Sequence, residues 1–146
     1  MLRSFLIGLV VGSRSYTPLA AVSGLARRGR LPGLHPRLMW IANPSVATGL
    51  KVMAAGELGA DKLPIAPNRT VVPGLLMRMA SGGLAGAALA PSRRALAGAA
   101  LGASAAVGAA YLSLAARTWA MRRFGQTSTG LVEDALALAA TRAVVR

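Results

Sequence analysis

The four carboxylates are the residues of this chain best placed to do chemistry, because all of them lie inside or at the edge of apolar segments. Glu57 and Asp61 are four residues apart and would share one helical face. Glu133 and Asp134 are adjacent in a later apolar segment. An acidic side chain in a membrane helix costs about 2.5–3.5 kcal/mol on insertion scales, so it usually faces a partner or a water-filled cavity. The spacing therefore predicts a polar site inside a helical bundle.

Two arginines inside apolar stretches, Arg14 and Arg78, are the expected counter-ions of these carboxylates, and Lys62 adjoins Asp61. We expect Arg14 or Arg78 to form an ion pair with one of the acids, because unpaired charge in lipid is costly. The predicted polar intramembrane site comprises Arg14, Glu57, Asp61, Lys62, Arg78, Glu133 and Asp134.

Interfacial explanations stay open for part of this set. Asp61 and Lys62 could lie among lipid headgroups, and acids in the first turns of the last segment could be stabilised by the helix dipole. Arg117, near the end of an apolar stretch, is expected to extend its charge to the membrane surface. Glu57 lies a turn deeper than Asp61 and is the least easily explained as interfacial.

The residues of common catalytic and metal sites are scarce. The chain has no Cys and a single His, His35, so we predict no metal site and no thiol chemistry. Neither a G-x-S-x-G turn nor a P-loop is present. We therefore predict a protein without a cofactor and without enzymatic activity. An intramembrane enzyme that acts on a lipid headgroup through carboxylates and Arg remains a third hypothesis for the function.

The composition favours a membrane protein over a soluble one. Hydrophobic residues make up 54% of the 146-residue chain and charged residues 14%, with a mean hydropathy of +0.52; a soluble domain is about 25% charged. The net charge of +13 comes largely from Arg clusters between the apolar runs. That pattern is typical of loops facing anionic headgroups and does not indicate nucleic-acid binding.

Five apolar segments define the expected elements, at about 2–26, 43–63, 74–90, 95–121 and 131–145. Basic or proline-rich loops are expected at 27–43, 64–73, 91–94 and 122–130. Several segments are short for a span of roughly 20 residues. We therefore predict an all-α, polytopic transmembrane bundle of four or five helices, some short or re-entrant, in a single integral membrane domain over residues 1–146. The first segment is expected to be a retained membrane helix and not a cleaved signal peptide.

Glycine pairs spaced four apart predict close helix packing. They are Gly8/Gly12, Gly82/Gly86 and Gly98/Gly102. With five spans, the distribution of arginines favours an N-terminus outside the cytoplasm.

Three motifs resemble a bacterial family of multi-pass membrane proteins known as a domain of unknown function. They are G-S-R-S-Y-T-P-L-A-A at residues 12–21, G-E-L-x-x-D-K-x-P at 56–64 and E-D-x-L-A at 133–137. The likeness runs from about Gly8 to Val144. It implies a multi-pass protein of the bacterial cytoplasmic membrane and draws attention to Arg14, Glu57, Asp61, Lys62, Glu133 and Asp134 without assigning a role to them.

Two hypotheses of function follow from the buried charges. The first is a small transporter or channel-like protein with an Arg/carboxylate site inside the bundle. The alternative is a non-catalytic accessory or scaffold subunit whose charges bind the helices of a larger membrane complex. Membrane lipids are expected partners in both cases, and a homo-oligomer or a membrane-protein partner is compatible with either.

Overall fold

The computed structural model describes residues 1–60 and 72–146, and these are helical over most of their length. The six α-helices are α1 Leu2–Ser13, α2 Tyr16–Arg27, α3 Pro44–Ala60, α4 Val72–Leu89, α5 Ala95–Phe124 and α6 Gln126–Val145. Short 3₁₀ helices cover Pro36–Ala42 and Ser92–Arg94. The all-α prediction is confirmed, and no strand occurs within the described ranges.

The centre of the fold is a three-helix contact in which α1 and α4 both pack on the long helix α5. Glycines make this contact close. A Cβ at Gly8 or Gly12 would collide with α5, and one at Gly102 would meet the Gly82 carbonyl. The packing role predicted for the small-residue pairs holds for Gly8, Gly12, Gly82, Gly86, Gly98 and Gly102. Small residues thus bring the backbones together where large side chains would hold them apart.

A second group of elements packs beside this centre. Helix α2 contacts α3, α6 and the first 3₁₀ helix. Its Leu19 and Val22 join Ile7 of α1, Ile41 of the 3₁₀ helix and Ala85 of α4 in one apolar cluster. Both groups are therefore parts of one folded unit.

The first apolar segment was expected to be one helix, but it forms two. Arg14 adopts an extended conformation (φ −140°, ψ 111°) and ends α1, and α2 begins at Tyr16. Gly12 lies against Ala106 and Ala109, at the middle of the 30-residue α5. The interruption therefore falls halfway along the longest helix of the fold.

Two predicted loops were also wrong in part. Residues Pro36–Ala42 form a 3₁₀ helix, whose first turn His35 caps by accepting a hydrogen bond from the Arg37 amide at Nδ1 (3.2 Å). The loop expected at 122–130 shrinks to Gly125, which has a φ of +80° and lets α5 turn directly into α6. Glu133 and Asp134 consequently lie well inside α6 and not in its first turns, so the helix-dipole explanation fails for them.

Asn43 caps the start of α3, since its Oδ1 accepts a hydrogen bond from the Ser45 amide (2.9 Å). Pro73 was expected in an extended connector but occupies the first turn of α4. A proline is tolerated there because the backbone N–H groups of a first turn have no intrahelical acceptor. The rest of that connector lies outside the described residues, and so do Asp61 and Lys62 of the second apolar segment.

Among the described residues, two segments are long and apolar enough to cross a membrane, Val72–Leu89 and Ser92–Phe124. They correspond to α4 and to α5 with its preceding 3₁₀ turn, and they pack against each other as a hairpin. Helix α1 is apolar but shorter.

Candidate polar site at the helix interruption

Glu57 binds the open amino end of α2. The break at Arg14 leaves the first amides of α2 without intrahelical acceptors. The two carboxylate oxygens of Glu57 accept hydrogen bonds from the Ser15 amide (2.7 Å) and the Tyr16 amide (3.0 Å). A negative charge is favourable at this end of a helix dipole. Glu57 thus acts as a cap delivered from α3 to another helix.

Arg78 binds the other side of the same interruption. Its Nε donates to the carbonyl of Gly12 (3.1 Å), in the last turn of α1, and its Nη1 donates to the Gly74 carbonyl one turn earlier in α4 (3.1 Å). The side chain is buried, on the same face of α4 as Gly82 and Ala85. A cation is favourable at a helix carboxyl end, so each broken end of the first segment meets a charge of the matching sign.

Arg14, which forms the break itself, pairs with Asp134 of α6 through its Nη2. The Arg14 side chain is 1% exposed and that of Asp134 is 13% exposed. The Arg–carboxylate pair predicted for Arg14 is therefore present, and its partner comes from the far end of the sequence. Burial at this level makes the pairing obligatory, because a lone buried guanidinium would be very costly.

Four charged side chains of the described residues thus lie at the interruption: Arg14 in the break itself, Glu57 of α3, Arg78 of α4 and Asp134 of α6. Two of these are basic residues and two are acidic. Thr17, in the first turn of α2, adds a buried hydroxyl with no hydrogen-bond partner among the described residues. The cluster lacks a nucleophile–base arrangement, but its carboxylates can exchange protons, and the α2 amides form an anion-binding end that Glu57 occupies.

Glu133, expected in the same site, faces elsewhere. It pairs with Arg117 of α5 across the Gly125 turn, with 3.2 Å between Arg117 Nη1 and Glu133 Oε2. The Arg117 side chain is only 12% exposed and is paired with Glu133, and its extension to the membrane surface stays a prediction. Arg117 lies eight residues before Gly125, and Glu133 lies eight residues after it. Recognising Gly125 as the turn of a helical hairpin would therefore have predicted this pair.

Sequence reasoning missed the main-chain part of the site. The amides of Ser15 and Tyr16 and the carbonyl of Gly12 became ligands only because the helix breaks between them. Pro18 did indicate a kink near Arg14, since a proline four residues after Arg14 cannot donate to the Arg14 carbonyl, but it did not predict a complete break. Within the described ranges, no three His, Asp or Glu side chains gather as a metal site.

The fold and site define an all-helical protein with a charged cluster at a broken helix and two helices able to cross a membrane. The chain belongs to the family described as domain of unknown function DUF4126, whose model matches residues 1–145. The family resemblance inferred from the motifs is thereby confirmed. No curated protein and no solved structure matched the chain.

Proposed function

We propose that the protein is a small-solute transporter or channel-like protein of the bacterial cytoplasmic membrane, with its working centre at the α1–α2 interruption. The observation that carries the proposal is the broken helix, whose two ends are bound by Glu57 and Arg78. Transporters commonly place substrate and ion sites at such discontinuous helices, where free main-chain groups and helix dipoles provide polar ligands inside an apolar bundle.

The contacts of Glu57 support a movable part in this centre. Its carboxylate satisfies two amides that nothing else in α2 satisfies, so it can leave only if an anion, water or a conformational change replaces it. Protonation would weaken both hydrogen bonds, because a neutral carboxyl is a poorer acceptor. Proton binding at Glu57 would therefore be coupled to the opening of the α2 end.

The scaffold hypothesis requires Glu57 to contact a basic group of another chain. Both of its oxygens are instead engaged by α2 of its own chain, which favours the transporter. The scaffold role remains the alternative that the experiment below separates.

Four or five membrane crossings belong to the same proposal. Helices α4 and α5 have the length and the apolarity for two of them. The pair α1–α2 together, α3 and α6 supply the others. The short helices on either side of the break would then act as half-helices, which are tolerated in a membrane only when the bundle satisfies their free main-chain groups.

Reconstitution of Glu57→Gln tests the transport centre. Glutamine keeps the size of the side chain but offers one oxygen acceptor for two amides, and it cannot release a proton. We expect wild-type proteoliposomes loaded with pyranine to dissipate an imposed pH gradient faster than empty liposomes, and Glu57→Gln to reduce that rate at least about tenfold. Arg27→Gln, which removes an exposed charge at the far end of α2, is the control and should match the wild type.

Purification of the same variants in mild detergent tests the scaffold. A stoichiometric partner protein that accompanies the wild type and is lost on Glu57→Gln, together with proton flux equal to that of empty liposomes, would contradict the transporter. Proton flux that depends on Glu57 in the purified chain alone would contradict a purely structural role.

A further inference from the structure

An open cleft between α1, α5 and α6 lies apart from the interruption site. Its volume is about 710 Å³, within the range of roughly 300–1,000 Å³ typical of small-molecule sites. Along α5 it extends from Ser113 to Phe124, and along α6 from Ser128 to Ala140. Helices α5 and α6 leave this space because they turn at Gly125 but pack against each other over only a short stretch.

The walls of the cleft are apolar in effect. Leu9, Val132 and Leu136 contribute large aliphatic surfaces. The hydroxyls of Ser13 and Ser113, although they line the cleft, donate to carbonyls of their own helices, at 2.9 and 3.1 Å. The charges of Arg117 and Glu133 are paired with each other. An apolar occupant would therefore leave these two hydrogen bonds and this ion pair intact.

The length of the cleft matches an acyl chain. The 12 residues from Ser113 to Phe124 on its α5 wall span about 16 Å at the rise of an α-helix. One leaflet of a bilayer has a hydrocarbon depth of about 15 Å, so an acyl chain that enters from the headgroup level would extend along the whole cleft.

The end of the cleft at the α5–α6 turn is basic. Arg122 and Arg123 occupy the last turn of α5, next to Phe124 of the cleft wall, and both are exposed. The Arg123 guanidinium lies 5.2 Å from the centre of the Trp119 ring, and Trp119 is itself 60% exposed. Tryptophan beside arginine is typical of the headgroup level of a membrane. An anionic headgroup would find opposite charge here.

We propose that the cleft is a binding site for an anionic phospholipid, with an acyl chain between α1, α5 and α6 and the phosphate beside Arg122 and Arg123. The inference rests on the membrane location proposed above, and not on transport. The bound lipid would fill the space between α5 and α6 and so complete their packing. Since Asp134 of α6 holds Arg14, the lipid would also stabilise the neighbouring interruption site.

Native mass spectrometry of the detergent-solubilised protein, titrated with phosphatidylglycerol or phosphatidylcholine, tests the proposal. We expect the wild type to bind phosphatidylglycerol more tightly, and Arg122→Gln/Arg123→Gln to lose about tenfold in affinity for it. The matched control is Arg27→Gln/Arg28→Gln, which removes two exposed arginines at the end of α2 and should keep the preference. An equal loss in both double variants, or in neither, would overturn the headgroup assignment.

A filled cleft tests the acyl-chain assignment. Ala116→Phe places a ring into the cleft and should abolish the lipid adduct, whereas Ala115→Phe, on an exposed position of α5 outside the cleft, should not. Equal lipid binding by these two variants would overturn the site. If Ala116→Phe fails to fold, photolabelling of the wild type by a phosphatidylglycerol with a diazirine in its acyl chain tests the same assignment.

That photoprobe should label peptides of α5 and α6 that line the cleft. Labelling confined to the exposed face of α4, at Leu76 and Met79, would overturn the proposal, and so would a dimer in place of a lipid adduct. Carbonate extraction of the wild type distinguishes a failure of the membrane location from a failure of the lipid site alone. Release by carbonate would refute the membrane location itself, whereas retention without cleft labelling would refute only the lipid site.

Discussion

At the scale of single residues, the charges of this chain are used in pairs that bridge distant parts of the sequence. Arg14 meets Asp134, and Arg117 meets Glu133. The residue types could be predicted from the sequence, because acids and arginines in apolar segments need partners. The pairing could not, since it depends on how α6 folds back beside α1. Asp134, which the sequence placed in the polar site with a helix-end role as the open alternative, is the counter-ion of the buried Arg14.

The Arg14–Asp134 pair should be strongly coupled. Asp134→Asn would leave a buried guanidinium without its counter-charge, and we expect a loss of about 3–5 kcal/mol in the free energy of unfolding. The double variant Arg14→Gln/Asp134→Asn should cost at least about 1 kcal/mol less than the sum of the two single variants. Chemical unfolding of the detergent-solubilised protein measures both quantities.

Arg3→Gln is the control for that cycle, because Arg3 is exposed at the start of α1. It should change the free energy of unfolding by no more than about 0.5 kcal/mol. Additive losses at positions 14 and 134 would show that the two side chains do not interact, and would contradict the geometry of the site.

At the scale of helices, periodic apolar runs and glycine spacing predicted which segments are helical and how they pack. The α4–α5 hairpin follows from the Gly82/Gly86 and Gly98/Gly102 pairs and from the break at Pro91. The ends of helices were less predictable. Hydropathy is continuous through Arg14, where Pro18 indicated only a kink, and the 122–130 region is polar. The complete interruption of the first segment and the direct α5–α6 turn were therefore not predicted.

Two glycines of α5 should respond in opposite ways to the same substitution. Gly102→Ala would drive a methyl group into the Gly82 carbonyl, and we expect a loss of about 1–3 kcal/mol in the free energy of unfolding. Gly108→Ala meets no described atom within 4 Å and should stabilise the protein by about 0.5–1 kcal/mol through higher helix propensity. Equal effects at the two positions would contradict the close contact between α4 and α5.

At the scale of the whole molecule, composition and family membership point the same way. A chain with 54% hydrophobic residues, a net charge of +13 and two helices able to cross a membrane belongs to DUF4126 over nearly its full length. The sequence predicted a cluster of charges inside a helical bundle but not what gathers it. That cause is the broken first segment, around which α3, α4 and α6 each contribute one charged side chain.

The measurement that tests the transport centre most directly is the reactivity of a single cysteine at the interruption. The chain has no native cysteine, so Ser15→Cys can be probed alone with a charged, membrane-impermeant methanethiosulfonate in right-side-out and inside-out vesicles. Ser23→Cys is the matched control, because Ser23 is fully buried in α2 and donates to the Ile41 carbonyl. If the centre opens to water alternately on the two sides of the membrane, Ser15→Cys should be modified in both kinds of vesicle. Ser23→Cys should be modified in neither. Ser15→Cys as unreactive as Ser23→Cys from both sides, in a protein that folds normally, would contradict a transport role for the interruption.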